Sequence, residues 1–271
     1  MRRCKALMLA TVWLVLAAVQ PSLAGRVRLA LGDAGWPAWA KAVYIGGEVY
    51  QGSEFFFANG TFTAHIDLAY GDFTVPVVVK AGEDTVVHLP LPRPFDQAEF
   101  RRLASEKGDI WRWNRFALTY AVVQEKARHR EFRNAVADVL ARVAKETGGL
   151  FRFSEAKDAA RADLVFHLVT EREIAPQFPQ SASVPAGYVD PRPCYWFFTR
   201  VDLYIDVRYC LDLAVLKHEV GHGLGLMGHS SRPTALMFET STASTAPVFS
   251  PEEVTALKVL YSLKAGEGVV R

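Results

Sequence analysis

HEVGHGLGLMGHS, residues 218–230, is the stretch whose reading decides this chain. His218 and His222 stand four apart, so on a helix both imidazoles leave the same face, one turn above the other. That spacing lets two ring nitrogens grip one metal ion. Glu219, beside them, is placed to hold a water and take its proton. Gly225 can take a positive φ, ending the helix and turning the chain so that His229 supplies a third nitrogen. Three neutral imidazoles with a fourth position open are the donor set of a catalytic zinc site, whereas structural sites close all four positions. Leu213, Leu216, Val220 and Leu224 give the helix an apolar stripe, and three of the seven histidines fall within residues 218–229.

Outward from that helix, expected over Leu211–Leu226, the pattern alternates between strand and helix. RVDLYIDV, Arg200–Val207, alternates cleanly as a strand, and Cys194–Thr199 reads as another. Gln177–Pro193, rich in Pro and Ser, reads as loop. Ala162–Val169, Phe151–Phe153 and Phe116–Val123 are apolar strands. His167, within one of them and far from the cluster, reads as a surface or satisfied histidine. Glu125–Thr147 is a long amphipathic helix with Phe132, Val136, Val139, Leu140 and Val143 on one side, ended by Gly148-Gly149. Asp96–Lys107 is expected as a short helix. Ser250-Pro251-Glu252-Glu253 opens the last helix, with Ser250 as N-cap, Pro251 at the first position and Glu253 closing a capping box. These pieces predict an α+β domain around one mixed sheet, with the histidine helix packed beneath it.

Residues 25–92 differ in texture. Val43–Tyr50, Glu54–Phe57, Thr61–Tyr70, Phe73–Lys80 and Thr85–Leu91 are short runs rich in Val, Phe, Tyr and Thr, broken by Gly46-Gly47, Asn59-Gly60, Gly71-Asp72 and Gly82-Glu83. Such spacing predicts a small all-β sandwich. Phe62, Ala64, Ile66 and Leu68 alternate with Thr61, Thr63, His65 and Asp67, so one face is buried and His65 is an exposed strand residue. Pro90, Pro92 and Pro94 mark a stiff linker. The expected division is a signal peptide over 1–24, the β-sandwich over 25–92, a linker over 93–109 and the histidine-bearing domain over 110–271.

Arg2, Arg3 and Lys5 precede the apolar run Ala6–Val19, and Pro21-Ser22-Leu23-Ala24 offers small residues for cleavage. That is the form of a secretory signal cut after Ala24, with an uncleaved anchor as the alternative. The chain is therefore expected to be exported, to the periplasm or outside the cell, with no membrane span after cleavage. Loss of the signal takes the formal net charge from +2 to −1. A nearly neutral chain offers no electrostatic footprint for nucleic acid or an anionic membrane. Cys4 leaves with the signal. Cys194 and Cys210 then suggest one disulfide, worth roughly 3 kcal/mol on the chain-entropy model, or else two thiols. They lie outside the histidine cluster and are not read as metal ligands.

The order of these pieces over residues 110–263 resembles the catalytic domain of the metzincin zinc peptidases, in their matrixin-like branch. The likeness is carried by WRWNRFALTYAVV as first strand, the long helix A, ADLVFHLV, HEVGHGLGLMGHS, Ala235-Leu236-Met237 and FSPEEVTALKVLYS. It implies a mixed twisted sheet with helix A, an active-site helix and a C-terminal helix. It also implies one catalytic Zn2+ on His218, His222 and His229, Glu219 as general base and acid, and Met237 as the Met-turn methionine beneath the metal. The family pattern H-E-x-x-H-x-x-G-x-x-H places its last histidine at position 228, where Gly228 stands; His229 follows one residue later. The β-sandwich resembles, weakly, the immunoglobulin-like or transthyretin-like modules of some secreted peptidases. The implied function is zinc-dependent endopeptidase action on an extended peptide or protein substrate, laid against an edge strand within Tyr188–Thr199. The loop Glu239–Phe249 is expected to wall the pocket after the scissile bond. Two alternatives stand beside it: a zinc-binding protein with little proteolytic activity that acts through partner recognition by the β-domain, and a gluzincin-type hydrolase whose third ligand is Glu252 or Glu253.

Overall fold

The computed structural model describes residues 24–33, 35–105, 110–123, 129–179, 184–240 and 248–266. The expected signal peptide, apart from Ala24, lies outside the described residues, as does most of the loop Glu239–Phe249. The chain divides into two compact units, Met1–Pro92 with Tyr261–Lys264, and Arg93–Leu260 with Ala265–Arg271. It is α+β in class.

The described part of the first unit is built of β-strands. One sheet joins β1 (Ala24–Leu31) antiparallel to β2 (Trp36–Pro37) and β5 (Glu54–Ala58), and parallel to β8 (Asp84–Leu89). The other runs β4 (Glu48–Gly52), β3 (Ala40–Ile45), β6 (Gly60–Leu68), β7 (Gly71–Val79). Strand β1 was not anticipated, although its alternation is plain: Val27, Leu29 and Leu31 are buried while Arg26 and Arg28 ion-pair with Glu54 and Asp84 on the wet face. Phe57 meets Phe62 edge-on at 5.3 Å and Tyr50 at 5.1 Å, so aromatic contacts join the two sheets. His65 is exposed and bonded to Thr74 Oγ1 at 2.9 Å.

A segment from the far end of the chain completes this unit. Leu263 bridges Ala38, Trp39 N–H donates to Ser262 O at 2.8 Å, and Ala69 N–H donates to Ser262 Oγ at 2.9 Å. Residues 261–264 therefore do not belong with the rest of 110–271. Ser262 thus supplies a main-chain acceptor for the Trp39 amide and a hydroxyl acceptor for the Ala69 amide, while Lys264 N donates to Pro37 O of β2 at 2.9 Å.

In the second unit, the described part of 93–109 is more than a linker. It carries helix α1 (Gln97–Ala104), which buries Phe100, Leu103 and Ala104 to 1% exposure or less. Helix α2 (His129–Glu146) buries Phe132, Val136, Val139, Leu140 and Val143, all at 1% exposure or less. Each such burial is worth roughly 1.5–3 kcal/mol, whereas the exposed pair Arg142–Asp138 contributes about 0.3–0.5 kcal/mol. Packing, rather than surface charge, therefore holds this helix. Gly148 and Gly149, at φ of 68° and 77°, end it.

The five-stranded sheet runs β10 (Arg152–Glu155), β9 (Ala117–Val122), β11 (Leu164–Val169), β13 (Phe197–Asp206), β12 (Gly187–Cys194). All neighbours are parallel except β12, which is antiparallel to β13. Between β11 and β12 lies the short helix α3 (Glu171–Ile174). Helix α4 (Leu213–Gly223) packs on the sheet and on α2, and α5 (Pro251–Leu260) contacts α1. Strand β12 occupies much of the stretch expected as loop. Pro191 and Pro193 disguised it, yet an edge strand tolerates proline.

Cys194 and Cys210 are not bonded to each other, contrary to the expected bridge. Cys194 pairs with Phe197 at the start of β13, while Cys210 follows that strand's other end. Ten residues of strand separate the two ends, roughly 30 Å at ~3.3 Å per residue, against the ~4.4–6.8 Å that a disulfide needs between Cα atoms.

On the sheet face away from α4, Tyr188, Tyr204 and His167 stack across β12, β13 and β11 at 4.6 Å spacings. His167 Nε2 meets Asp202 Oδ1 at 2.8 Å, so this histidine is satisfied as expected. Asp202, 1% exposed, also accepts from Arg200 at 2.6 and 2.9 Å and pairs with Arg192. Burial pushes its carboxyl up, but His167, Arg200 and Arg192 outweigh that and hold it well below the usual carboxylate range.

Because the folded pKa of Asp202 lies below its unfolded value of about 3.9, this cluster stabilises fully above that value. Its contribution is lost as pH falls through the folded pKa. Asp202→Asn is expected to cost roughly 3 kcal/mol at pH 7 and to flatten the acid limb of a urea-unfolding series below about pH 4. Truncation after Leu260 is expected to speed hydrogen exchange at the Trp39 and Ala69 amides, which lose Ser262 as acceptor.

Candidate metal centre

Helix α4 is capped at its start by Asp212, whose Oδ1 accepts from Ala214 N at 2.9 Å and Val215 N at 3.3 Å. At its other end the Trp113 indole N–H donates to Gly223 O at 2.9 Å. The helix is buried from Val215 to Gly223, Lys217 included. Lys217 Nζ reaches Glu146 Oε1 at 2.5 Å, and Glu146 Oε2 accepts from Phe249 N at 3.1 Å, so the far end of α2 anchors the helix. Burial lowers the Lys217 pKa, and Glu146 opposes that.

His218 and His222 project from one face of α4, 8% exposed each. Gly225, at φ 108°, turns the chain back, and a Cβ there would sit 2.7 Å from Trp111 O. His229 thereby reaches the other two: ring nitrogens of all three lie within 4.8 Å of one another.

The tautomers follow from the acceptors. His218 Nδ1 donates to Leu236 O at 2.8 Å and His222 Nδ1 to Leu226 O at 2.5 Å. A carbonyl can only accept, so both Nδ1 atoms carry the proton and both Nε2 atoms carry lone pairs. Those lone pairs face each other at 3.1 Å. Two buried acceptors at that separation have no hydrogen to share, and a cation satisfies both. Burial lowers the His218 pKa to about 4, with the Leu236 contact opposing and His229 adding to the fall. His222 is held well below its usual value by burial first, then by its histidine neighbours. Neutral imidazoles are the form that binds metal, and three of them suit a borderline divalent ion such as zinc.

Glu219 is 6% exposed, its Oε2 is buried without a hydrogen-bond partner, and burial raises its pKa to about 8. Gly187, at the start of β12, makes room for it: a Cβ there would lie 2.9 Å from Glu219 Cγ. Met237, fully buried, puts its sulfur against Gly221, where a Cβ would overlap Sδ. Met237 is held by its own main chain, accepting from Ser230 N at 2.8 Å and donating to Glu253 Oε1 at 2.6 Å. Glu253 also closes the expected capping box with Ser250, at 2.6 and 3.2 Å. Its carboxylate is thus engaged by main-chain donors, and Glu252 pairs with Arg232 at 3.1 Å. Neither belongs to the histidine cluster, which removes the gluzincin-type third ligand.

The edge of the cleft follows from register. Asp206 N donates to Ala186 O at 2.9 Å, which makes the pairs Tyr188↔Tyr204 and Asp190↔Asp202 the hydrogen-bonded ones. Gly187, Val189 and Pro191 therefore turn their main-chain groups away from β13, toward the open side of the sheet. Sequence reasoning missed Trp113, Lys217, Gly187 and the second role of Glu253. Each acts on a partner distant in sequence, and only Glu253 carried a local signal.

No family model and no curated protein sequence matches this chain.

Gly221→Ala is expected to cost roughly 1–3 kcal/mol through overlap with Met237. In a double-mutant cycle with Met237→Ala, the pair should destabilise by less than the sum of the single changes, since the smaller side chain vacates the clash. Additive losses in urea unfolding would show that the two do not touch.

Proposed function

We propose that this chain is an exported zinc-dependent endopeptidase of the metzincin type. The observation that carries the reading is the pair of Nε2 lone pairs converging at 3.1 Å, beside a buried carboxylate with an unpartnered oxygen. The order of elements in the second unit and the sulfur of Met237 packed against the histidine helix support the family resemblance. The basic start and apolar run of Met1–Ala24 support export. Among the described residues no helix is long and apolar enough to cross a membrane.

His218, His222 and His229 hold the ion through ring nitrogens. Zinc bound there supplies Lewis acidity, acidifying a water and polarising a carbonyl. Glu219 is the proton carrier. Burial alone favours its neutral form, and a cation held by the adjacent imidazoles would favour the carboxylate. The carboxylate takes a proton from the attacking water and returns it to the amine nitrogen as the peptide C–N bond breaks. Gly187 and Val189 offer main-chain donors and acceptors to an extended substrate, which adds to the sheet as one more strand. Pro191 has no N–H and ends the donor row. Among the described residues the metal-ligating cluster lies in the second unit, and the first unit is assigned a binding or spacer role.

The test is bound zinc and casein cleavage by the chain beginning at Gly25, beside Glu219→Ala. One zinc per chain is expected, with turnover falling at least about 100-fold in the variant while the metal stays bound. Zinc with no cleavage by the unmutated chain would assign the partner-recognition role instead. No bound zinc would overturn both.

A further inference from the structure

His218 and His222 are fixed by helical pitch, but His229 has no such frame. It is half-buried on irregular chain, and the nearest ladder is a single bridge between Ser230 and Phe238. Its position must come from its neighbours. On one side, Gly228 N donates to Leu103 O at 3.0 Å, and a Cβ on Gly228 would overlap the Arg102 carbonyl oxygen. On the other, the hydroxyl of Ser230 donates to Glu99 Oε1, and exposed Ser231 donates to Glu99 Oε2 at 2.8 Å. Both flanks of the third imidazole are therefore attached to one element, α1.

Glu99 is well held itself. It is 5% exposed, and the N-cap Asp96 accepts from Ala98 N and Glu99 N at 3.0 Å each. The other Asp96 oxygen accepts from Arg232 at 3.0 Å, and Arg232 N donates back to Ser230 Oγ at 3.0 Å. Hydrogen bonds to an ionised carboxylate are roughly twice as strong as neutral ones. A buried carboxylate fed by two hydroxyls is a stiff joint.

We infer that Glu99 is the positioning residue for His229, clamping Ser230 and Ser231 so that the third imidazole meets the two on α4. The inference rests on the metal-binding reading of the three histidines. It gives α1, which precedes the first strand of the five-stranded sheet, a part in building the metal site. Groups that orient a ligand from outside typically govern metal affinity by about 10- to 100-fold.

The test uses the full chain after signal removal, stripped of metal, with zinc affinity read by chelator competition and ligand geometry read from the visible absorption of Co2+. Glu99→Ala is expected to weaken zinc binding about 10- to 100-fold and to reduce the tetrahedral Co2+ band, since that band follows the third nitrogen. Glu99→Gln keeps an acceptor oxygen and is expected to recover most of the band, whereas Glu99→Met, of similar length but with no oxygen acceptor, is expected to leave it reduced. A band restored by Glu99→Met would assign a packing role and overturn the clamp. If near-UV circular dichroism shows Glu99→Ala unfolded, Ser231→Ala carries the test, with a smaller loss in the same direction expected. Unmutated affinity and an unchanged Co2+ band in the folded Glu99→Ala chain, or failing that in Ser231→Ala, would overturn the clamp. An unmutated chain that binds neither ion would instead overturn the metal reading, which keeps the two failures apart.

Discussion

Two main-chain carbonyls govern this site. Leu236 O and Leu226 O each accept a proton from an Nδ1, at 2.8 and 2.5 Å, and so leave His222 Nε2 and His218 Nε2 facing each other as bare lone pairs. Neither carbonyl belongs to helix α4. Leu226 O is delivered by the turn at Gly225, and Leu236 O by the turn that ends in Met237. The chemistry of the imidazoles is thus decided by the chain that wraps back over the helix. Burial then keeps both rings neutral, because a charged ring there would lose its hydration without a compensating anion.

Those turns are held by groups that are themselves fully committed. Met237 is bonded at both main-chain atoms, to Ser230 and to Glu253, and its sulfur fills the space left by Gly221. The buried ions beneath follow the same logic. Lys217 is matched to Glu146, and Glu253 accepts from main-chain N–H groups, so both of these buried groups are compensated. Against that background, one buried oxygen of Glu219 without a partner stands out. An orphan oxygen beside convergent lone pairs is the feature on which the proposed metal site rests.

Much of this was legible in the residues, for a specific reason. The stripe Phe132, Val136, Val139, Leu140 and Val143, the stop at Gly148-Gly149, the Ser250–Glu253 capping box and the i, i+4 pair of histidines are all set within about one or two helical turns. Other features misled. Pro191 and Pro193 read as loop, although an edge strand can turn a proline nitrogen to its open side. Cys194 and Cys210 are close in sequence, yet the strand between them holds them at opposite ends.

The sequence by itself determined which side chains face together within a helix and where helices begin and end, because those relations depend on a fixed pitch and on caps a few residues away. The tertiary structure alone decided the rest. It brought Glu99 to Ser230 across 131 positions, Trp113 to Gly223 across 110, and Ser262 to Ala69 across 193. It also chose the carbonyls that set the tautomers of His218 and His222. Such contacts have no periodicity to betray them, since they form only where the sheet order and the chain crossings happen to close.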